Sequence, residues 1–314
     1  MIVCLKGQGI VSRLDAAKCV QVAVPDCAPV DCVLVPKAKD IGAFSVRRVL
    51  PAAERRSVGP FVFFDQMGPA VFENDTYLDV RPHPHIGLST ITWLIEGEIL
   101  HRDSLGYVQP IRPGEVNWMT AGSGIVHSER TPDESRHAGS KIYGIQTWIA
   151  LPKDQEEIDP SFQHYAAADI PWIDGPGYRI GLIVGDAWGH SSPVETPSET
   201  LYADISMEAD ATVDLPTATE ERAVYILSGS IEIAGTVFES DRMVVLHTGV
   251  SVSVTAQENT RLMLCGGAPL DGPRHMFWNF VSSRKDRIDQ AKTDWQEGRF
   301  APVTGEVDFI PLPG

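Results

Sequence analysis

The chain has 314 residues, of which 43% are hydrophobic and 22% are charged, and its net charge at pH 7 is −16. The length predicts about two domains, and the proportions of hydrophobic and charged residues exclude a disordered chain. An acidic surface repels phosphate backbones and anionic lipid, so we expect no direct nucleic-acid binding and no membrane association. No signal sequence or membrane-spanning run is evident. Five cysteines without a Cys-x-x-Cys pair predict free thiols and a cytoplasmic location.

Residues 1–37 form the part of the chain with the weakest pattern, and we treat them as an N-terminal extension. The stretch 20–35 is rich in valine and is interrupted by Pro25 and Pro29. Such a stretch is typical of an edge strand with loose ends or of a terminal tail.

Most of the remaining chain consists of short apolar segments separated by Gly, Pro and Asp. This pattern predicts an all-β barrel or sandwich, whereas a Rossmann or TIM architecture would require regularly alternating helices. The predicted strands are 61–64, 88–95, 116–119, 142–150, 180–184, 201–205, 224–227, 231–233, 243–246 and 262–265.

Two segments repeat a strand, a Gly turn and a second strand. They are residues 93–100 around Gly97 and residues 225–233 around Gly229, about 130 residues apart, a spacing that indicates a duplicated barrel. We therefore predict a first barrel over residues 38–165 and a second over residues 166–314, with the junction in the Pro-, Gly- and Asp-rich stretch 159–177.

One helix is predicted near the end of the chain. Ser282 or Ser283 can cap its N-terminus, and Ile288, Ala291 and Trp295 fall on one apolar face that would dock on a barrel. Gly298 provides the stop signal.

Potential metal ligands occur as two i, i+2 pairs, His83 with His85 and His127 with Glu129. Residues i and i+2 of an extended chain point to the same face. Two facing pairs inside a small β-barrel would supply three imidazoles and one carboxylate, a set that suits a redox-active first-row metal better than a structural zinc. Pro82 lacks a backbone donor, as does Pro84, so this segment is predicted at an edge or in a loop and not in a central strand. Since the second repeat has no such pairs, we expect it to be metal-free.

Other polar and aromatic residues of the first repeat allow more than one interpretation. His101 is either a hydrogen-bonding neighbour of a metal ligand or an ordinary buried or surface histidine. We expect Glu96 and Asp103 to be solvated turn residues. The apolar strand residues are expected to be mostly core, with one or two at a pocket mouth, and they are Phe64, Trp93, Trp118 and Met119.

The run from Pro82 to Pro132 resembles the pirin family of the cupin superfamily. The resemblance is carried by residues 82–85, 93–97, 101–104, 112–122 and 124–129. It implies an all-β fold of two tandem cupin (jelly-roll-like) β-barrels with a C-terminal helix, and a single metal in the N-terminal barrel. The family's ligands correspond to His83, His85, His127 and Glu129.

Two functions are compatible with this resemblance. Some family members are similar to quercetin 2,3-dioxygenases, which open a flavonol ring with O₂. For such an enzyme we expect a small aromatic substrate, Glu129 as proton acceptor, and one divalent transition metal, Fe(II) first and Ni, Co, Mn or Cu as alternatives. The other function is a non-enzymatic iron-binding redox sensor or transcriptional co-regulator that acts through a protein partner. In both cases we expect a monomer, and the complete ligand set favours the enzyme.

Overall fold

Strands make up most of the regular structure in the computed structural model, which describes residues 28–40, 45–72, 77–136 and 139–314. The strands up to residue 165 are β1 (Val30–Leu34), β2 (Lys37–Asp40), β3 (Ser45–Leu50), β4 (Phe61–Val71), β5 (Asp79–His85), β6 (Leu88–Glu96), β7 (Ile99–Asp103), β8 (Val108–Ile111), β9 (Val116–Thr120), β10 (Ile125–Arg130), β11 (Lys141–Ala150) and β12 (Ser161–Tyr165). The later strands are β13 (Trp172–Gly175), β14 (Tyr178–Val184), β15 (Asp186–Ala187), β16 (His190–Ser191), β17 (Thr200–Met207), β18 (Thr212–Asp214), β19 (Glu221–Ser228), β20 (Ser230–Ile233), β21 (Thr236–Glu239), β22 (Arg242–Leu246), β23 (Ser253–Ala256), β24 (Thr260–Gly267), β25 (His275–Phe277) and β26 (Phe280–Ser282). Helix α1 (Lys285–Gln296) and two 3-10 helices, Asp133–Ser135 and Lys153–Gln155, complete the described elements. Every predicted strand lies within an observed one.

The strands form two barrels, each built from a seven-stranded and a four-stranded sheet. In the first barrel the sheet orders are β12-β9-β6-β11-β4-β3-β2 and β5-β10-β7-β8. In the second they are β1-β22-β19-β24-β17-β14-β13 and β18-β23-β20-β21. The predicted all-β fold of two barrels and a C-terminal helix is therefore confirmed, whereas the residue boundaries assigned to the barrels stay predictions.

The described part of the N-terminal extension contains an edge strand. β1 pairs antiparallel with β22, at the edge of the large sheet of the second barrel. Residues 1–27, which include Cys4, Cys19 and Cys27, lie outside the described residues. Cys32 and Cys265 are free thiols, as predicted. No helix within the described ranges has the length and apolarity needed to cross a bilayer.

The two glycine turns that indicate a duplication occupy equivalent places. Gly97 follows β6 with φ +90°, and Gly229 follows β19 with φ +78°, both in the left-handed region that favours glycine. A Cβ on Gly97 would lie 2.2 Å from the backbone oxygen of Lys141, and one on Gly229 would lie 2.4 Å from Oγ1 of Thr260. Both turns therefore require glycine because the backbone conformation and the close neighbours leave no room for a side chain.

The large sheets of the two barrels pack against each other, so both of their faces are buried. On β6, Ile91 and Trp93 belong to the core between the barrels, which also contains Tyr225 and Met263 of the second barrel. The alternate residues Thr90 and Thr92 are buried on the other face, inside the first barrel. The alternation in β6 thus places its polar residues in the barrel interior, away from solvent.

The interior of the second barrel has the opposite character. It is filled by aliphatic side chains from all of its main strands, among them Leu182, Ile205, Val224, Ile226 and Leu264. In the repeat alignment, Val224 occupies the position of Thr92. This packing supports the prediction that a metal would reside in the first barrel.

The predicted C-terminal helix is present, but its N-cap differs from the prediction. The N-cap is Arg284, which makes no side-chain capping bond. Ser282 and Ser283 donate their hydroxyls to the buried carboxylate of Glu156. The C-terminus agrees with the prediction: Gly298 has φ +68°, and its N–H donates to the carbonyl of Trp295.

The apolar face of α1 also agrees with the prediction. Ile288 and Ala291 are buried and Trp295 is partly buried, and all three belong to a core cluster with Ile86 of the first barrel and Phe280 of β26.

One buried carboxylate connects the two barrels. Asp204 of β17 is 1% exposed and accepts a hydrogen bond of 2.9 Å from the indole Nε1 of Trp93 in β6. It also accepts two hydrogen bonds from the guanidinium of Arg261 in β24, one of them from Nε at 2.9 Å. Asp204 therefore satisfies a donor from each barrel.

Replacement of Asp204 by alanine tests this connection. The substitution leaves the indole N–H and a partly buried guanidinium without their acceptor, and we expect a loss of about 3–5 kcal/mol in the free energy of unfolding. Urea denaturation measures the change. The control is Asp174→Ala, which removes an exposed ion pair with Arg179 and should change stability by less than about 0.5 kcal/mol. Equal effects of the two substitutions would contradict the structural role of Asp204.

Candidate metal centre

The first pair of candidate ligands lies on β5, the edge strand of the four-stranded sheet. This position confirms the prediction from Pro82 and Pro84, since an edge strand tolerates residues that cannot donate to a ladder. His83 and His85 are 2% and 1% exposed, and the ring of His85 packs edge-on against Trp148 of the opposite sheet at 5.2 Å. Both rings therefore face the barrel interior.

Pairing of β5 with β10 brings the third histidine to the first two. His127 lies directly opposite His83 in the antiparallel register. The ring centroid of His127 lies 4.4 Å from that of His83 and 4.9 Å from that of His85. One ring nitrogen from each of the three histidines can be chosen so that all lie within 4.8 Å of one another. The structure thus assembles three buried imidazoles that could hold one metal ion.

The hydrogen bonds of the three rings leave a nitrogen available on each. His83 donates from Nδ1 to the carbonyl of Arg81 at 2.9 Å, so that its Nε2 is available. His85 bonds to the backbone of Asn279, and its buried Nδ1 has no partner. Nε2 of His127 is also buried without a partner. Buried polar atoms without partners are costly in a folded protein, and here they converge, which fits a metal ion.

Burial keeps these histidines neutral, the form in which imidazole binds a metal. Burial lowers the pKa of His83 to about 3. It also lowers the pKa values of His85 and His127 well below the usual value, and the neighbouring imidazoles add to this effect.

Glu129 lies on the same strand as His127 but after a break in regularity. The register between β5 and β10 shifts between His127 and Glu129, so that Glu129 lies opposite Val80 and, on the other side, opposite His101. Burial raises the pKa of this carboxyl group to about 7, and a hydrogen bond from the Gln146 side chain partly opposes that shift. Glu129 is not part of the compact group of three histidines. Its role as fourth ligand stays a prediction.

His101 is a buried neighbour of a candidate ligand. Its Nε2 donates to Oδ2 of Asp103 at 3.0 Å, and its Nδ1 lies 3.3 Å from Nδ1 of His127. Because the Nε2 proton of His101 is donated to Asp103, the lone pair of His101 on Nδ1 can accept the proton of His127 Nδ1. The lone pair of His127 is then on Nε2, the atom that has no protein partner. Of the two interpretations of His101, the structure supports the neighbour of a ligand.

The prediction that Asp103 is a solvated turn residue is wrong. Asp103 is 1% exposed, and its Oδ1 accepts the backbone N–H groups of Leu105 and Tyr107 at 2.9 and 3.1 Å. The Asp103 carboxylate therefore bonds both to the turn after β7 and to the ring of His101. Glu96 is exposed, as predicted.

The wall opposite the histidines combines polar and aromatic groups. Gln146 of β11 and Thr92 of β6 are buried cross-strand neighbours, and the Thr92 hydroxyl donates to Oε1 of Gln146 at 2.8 Å. Trp148 follows on the same face of β11. Phe162 stacks on His101 at 4.5 Å and contacts Tyr107 at 4.9 Å, and Tyr107 is 46% exposed. An aromatic stack therefore leads from solvent to the ring beside His127.

The four apolar residues considered for the pocket mouth separate into two groups. Phe64, Trp93 and Trp118 belong to the core between the barrels. Met119 belongs to the cluster that contains Trp148 and Phe162, which contact His85 and His101.

A buried ion pair completes the opposite wall. Arg48 donates from Nε and Nη2 to the two oxygens of Asp65 at 2.9 and 2.7 Å. Its guanidinium also lies 4.5 Å from the centroid of the Phe63 ring. Asp65 is the cross-strand partner of Gln146 in β4, so this pair neutralises the charge next to Gln146.

Asp103, Gln146 and the Arg48–Asp65 pair were not identified as site residues from sequence, although Asp103 and Gln146 carry a usable signal. His101 and Asp103 form a further i, i+2 pair of ligand-type residues on a strand, the same pattern that identifies the two ligand pairs. Gln146 and the adjacent Thr147 are polar residues in the middle of a mostly apolar strand. The Arg48–Asp65 pair has no local signal, because it depends on the pairing of β3 with β4.

The three buried histidines predict a pH dependence of the metal-free protein. Their folded pKa values lie below the unfolded value, so the unfolded state takes up protons first, and stability falls as the pH falls below about 6.5. Each histidine adds a slope of up to about 1.4 kcal/mol per pH unit. Glu129 has a raised pKa and acts in the opposite direction between about 7 and 4.5, but one carboxyl group opposes three imidazoles.

We expect His127→Asn to show a smaller loss of stability than the wild type between pH 7.5 and pH 5.0. Thermal unfolding in EDTA at both pH values measures this difference. The control His190→Asn replaces an exposed ring and should retain the wild-type pH dependence. An unchanged pH dependence in His127→Asn would contradict the burial of a neutral imidazole at this position.

Comparison with known proteins agrees with this architecture. Residues 43–149 match the Pirin family model, and residues 202–301 match the Pirin C-terminal cupin domain. The chain is 49% identical over 288 residues to a pirin-like protein of Caulobacter vibrioides, which covers 90% of this chain and 99% of that relative. It is 40% identical over 276 residues to a Pseudomonas aeruginosa protein named "Putative quercetin 2,3-dioxygenase", with 87% of this chain and 84% of the relative covered.

Among solved structures, the chain is similar to a quercetin 2,3-dioxygenase from Acinetobacter baumannii. The TM-score is 0.83 at 34% sequence identity, and the match covers 90% of this chain and 94% of that one. The two family matches agree with the two barrels and with the histidine group of the first barrel. The chain belongs to the pirin family and has its bicupin fold.

Proposed function

We propose that this protein is a metal-dependent dioxygenase, similar to quercetin 2,3-dioxygenase, that opens a flavonol-like ring with O₂. The observation that carries the proposal is the group of three buried histidines, each with an available nitrogen, next to a buried carboxyl group with a pKa of about 7. The relative and the solved structure that carry this enzyme name support the same class of reaction.

The metal would be held by His83, His85 and His127, with Glu129 as the fourth ligand. We propose Fe(II), with Ni, Co, Mn or Cu as alternatives, because imidazole and carboxylate ligands accept all of these ions. When bound, the ion would supply a Lewis acid with positions left open by a four-ligand set.

Glu129 would take the proton of the substrate's 3-hydroxyl group. Burial raises its pKa to about 7, which matches the demand on a general base near neutral pH. Gln146 fixes the carboxylate from the opposite wall, and Thr92 fixes the Gln146 amide in turn. The proton acceptor would therefore be oriented before the substrate arrives.

The aromatic groups beside the histidines suit a planar substrate. Phe162 lies between His101 and Tyr107, and Trp148 packs on His85 from the other sheet. Flat rings would stack on such walls, and apolar walls would exclude water from the proton transfer.

Metal loading tests the centre itself. We expect purified protein to carry about one transition-metal ion per chain, since the proposed ligand set occurs once. His83→Ala or His127→Ala should abolish loading, because each removes a ligand nitrogen. Elemental analysis with a His190→Ala control measures the stoichiometry. Full occupancy in both ligand variants, or two ions per chain, would exclude this site.

Glu129→Gln tests the proposed base. Glutamine keeps the size and a weak oxygen ligand but cannot accept a proton at neutral pH. We expect most of the metal to remain bound, while flavonol turnover per metal ion falls by roughly 10²-fold or more. The measurement is oxygen uptake per bound metal with quercetin, and Glu96→Gln on the surface is the control.

The outcomes of this assay separate the possible roles of Glu129. Equal rates per metal in wild type and Glu129→Gln would exclude the base. No wild-type rate above the metal-free control with any of Fe, Ni, Co, Mn and Cu would refute the enzyme and favour a regulatory metal-binding protein.

A further inference from the structure

The chain after α1 returns to the outer face of the sheet that carries the candidate ligands. The N–H of Ile310 donates to the carbonyl of Pro82 at 2.8 Å, and the indole of Trp295 donates to the carbonyl of Ile310 at 3.0 Å. Pro82 directly precedes His83 on β5. The C-terminal segment 303–314 is thus bonded to the strand that carries two of the three histidines.

Glu306 in this segment binds the outward side of β10. Its carboxylate accepts from the Ser128 hydroxyl at 2.9 Å and from Nε and Nη2 of Arg130 at 3.1 and 2.6 Å. Ser128 and Arg130 alternate with His127 and Glu129 along the strand. Since neighbouring residues of a strand point to opposite faces, the outward side chains are held by Glu306 while the inward ones form the centre.

Further contacts connect the segment to the rest of the sheet. Nη1 of Arg102 in β7 lies 3.7 Å from the Glu306 carboxylate, and Arg130 also bonds to Asp308 at 3.0 Å. The Glu306 side chain is 9% exposed and that of Arg130 is 19% exposed, so the ion pair between them is largely shielded from water. The segment therefore contacts three neighbouring strands, β5, β10 and β7.

β5 needs such support more than an ordinary strand does. Within the described sheet it is an edge strand that pairs with β10 alone. The register between β5 and β10 is also irregular after His127. Separation of these two strands would move His83 away from His127 and release a metal held between them.

We propose that the segment 303–314 is a clasp that holds β5 and β10 together, with Glu306 as the positioning residue that controls how fast metal leaves the centre. This proposal rests on the proposed metal site. The clasp lies beyond residues 202–301, which match the family's C-terminal domain, so the family match does not account for it.

The test is Glu306→Gln in the full chain, which keeps the side-chain size and removes the charge. Iron-loaded protein is mixed with a chelator, and the rate of metal loss is measured. We expect loss to be about 10-fold faster or more, the scale seen when groups behind metal ligands are replaced. The control is Glu297→Gln, which removes the exposed partner of Arg299 at the end of α1 and should release metal at the wild-type rate.

Hydrogen exchange of the metal-free proteins separates the clasp from a general loss of stability. We expect faster amide exchange in β5 and β10 of Glu306→Gln and unchanged exchange in β22 of the second barrel. Equal acceleration in β22, or wild-type metal release from Glu306→Gln, would overturn the proposal. If the wild type binds no metal, the proposed centre fails, and wild-type exchange in β5 and β10 of the variant would then refute the clasp as well.

Discussion

The packing of the two large sheets against each other is the interaction on which the candidate centre depends. Large apolar side chains such as Trp93, Tyr225 and Met263 are almost fully buried in that interface. Each contributes about 1.5–3 kcal/mol through removal of apolar surface from water. Because the apolar faces of both sheets are used between the barrels, the first barrel can combine the apolar cluster of Met119 and Phe162 with polar side chains in its interior. Its inner face is free to carry threonine, glutamine, histidine and glutamate.

The interior of the second barrel contributes to stability, whereas the interior of the first barrel carries the candidate metal ligands. In the second barrel the inner face is aliphatic, as at Val224 where the first barrel has Thr92, so both faces of its large sheet stabilise the fold. In the first barrel without a cation, burial of the three imidazoles lowers stability below about pH 6.5, and burial of the Glu129 carboxyl group lowers it above about pH 4.5, because burial opposes the charged forms. A bound metal would remove this cost, and the same groups would then favour the folded state.

Sequence predicted the elements of this structure better than the contacts between them. The i, i+2 pattern placed His83, His85 and His127 on inward faces, because strand periodicity is local. The burial of Asp103 was missed, since it depends on the backbone of the turn that follows β7. The N-cap of α1 was also missed. The local rule favours Ser282 or Ser283, but both bond to Glu156, a residue more than 120 positions away. A distant hydrogen-bond acceptor such as Glu156 cannot be identified from one sequence, because its position depends on how separate parts of the chain pack.

The prolines of β5 connect the edge position of this strand to the orientation of its ligands. Arg81 and Pro82 lie where the register between β5 and β10 shifts, so neither has a paired residue across the ladder. The Arg81 carbonyl instead accepts the Nδ1 proton of His83, which fixes the tautomer of that ring with its lone pair on Nε2. The Pro82 carbonyl accepts from Ile310 of the C-terminal segment. An irregularity that weakens strand pairing thus provides one acceptor that orients a ligand and a second that holds the strand in place.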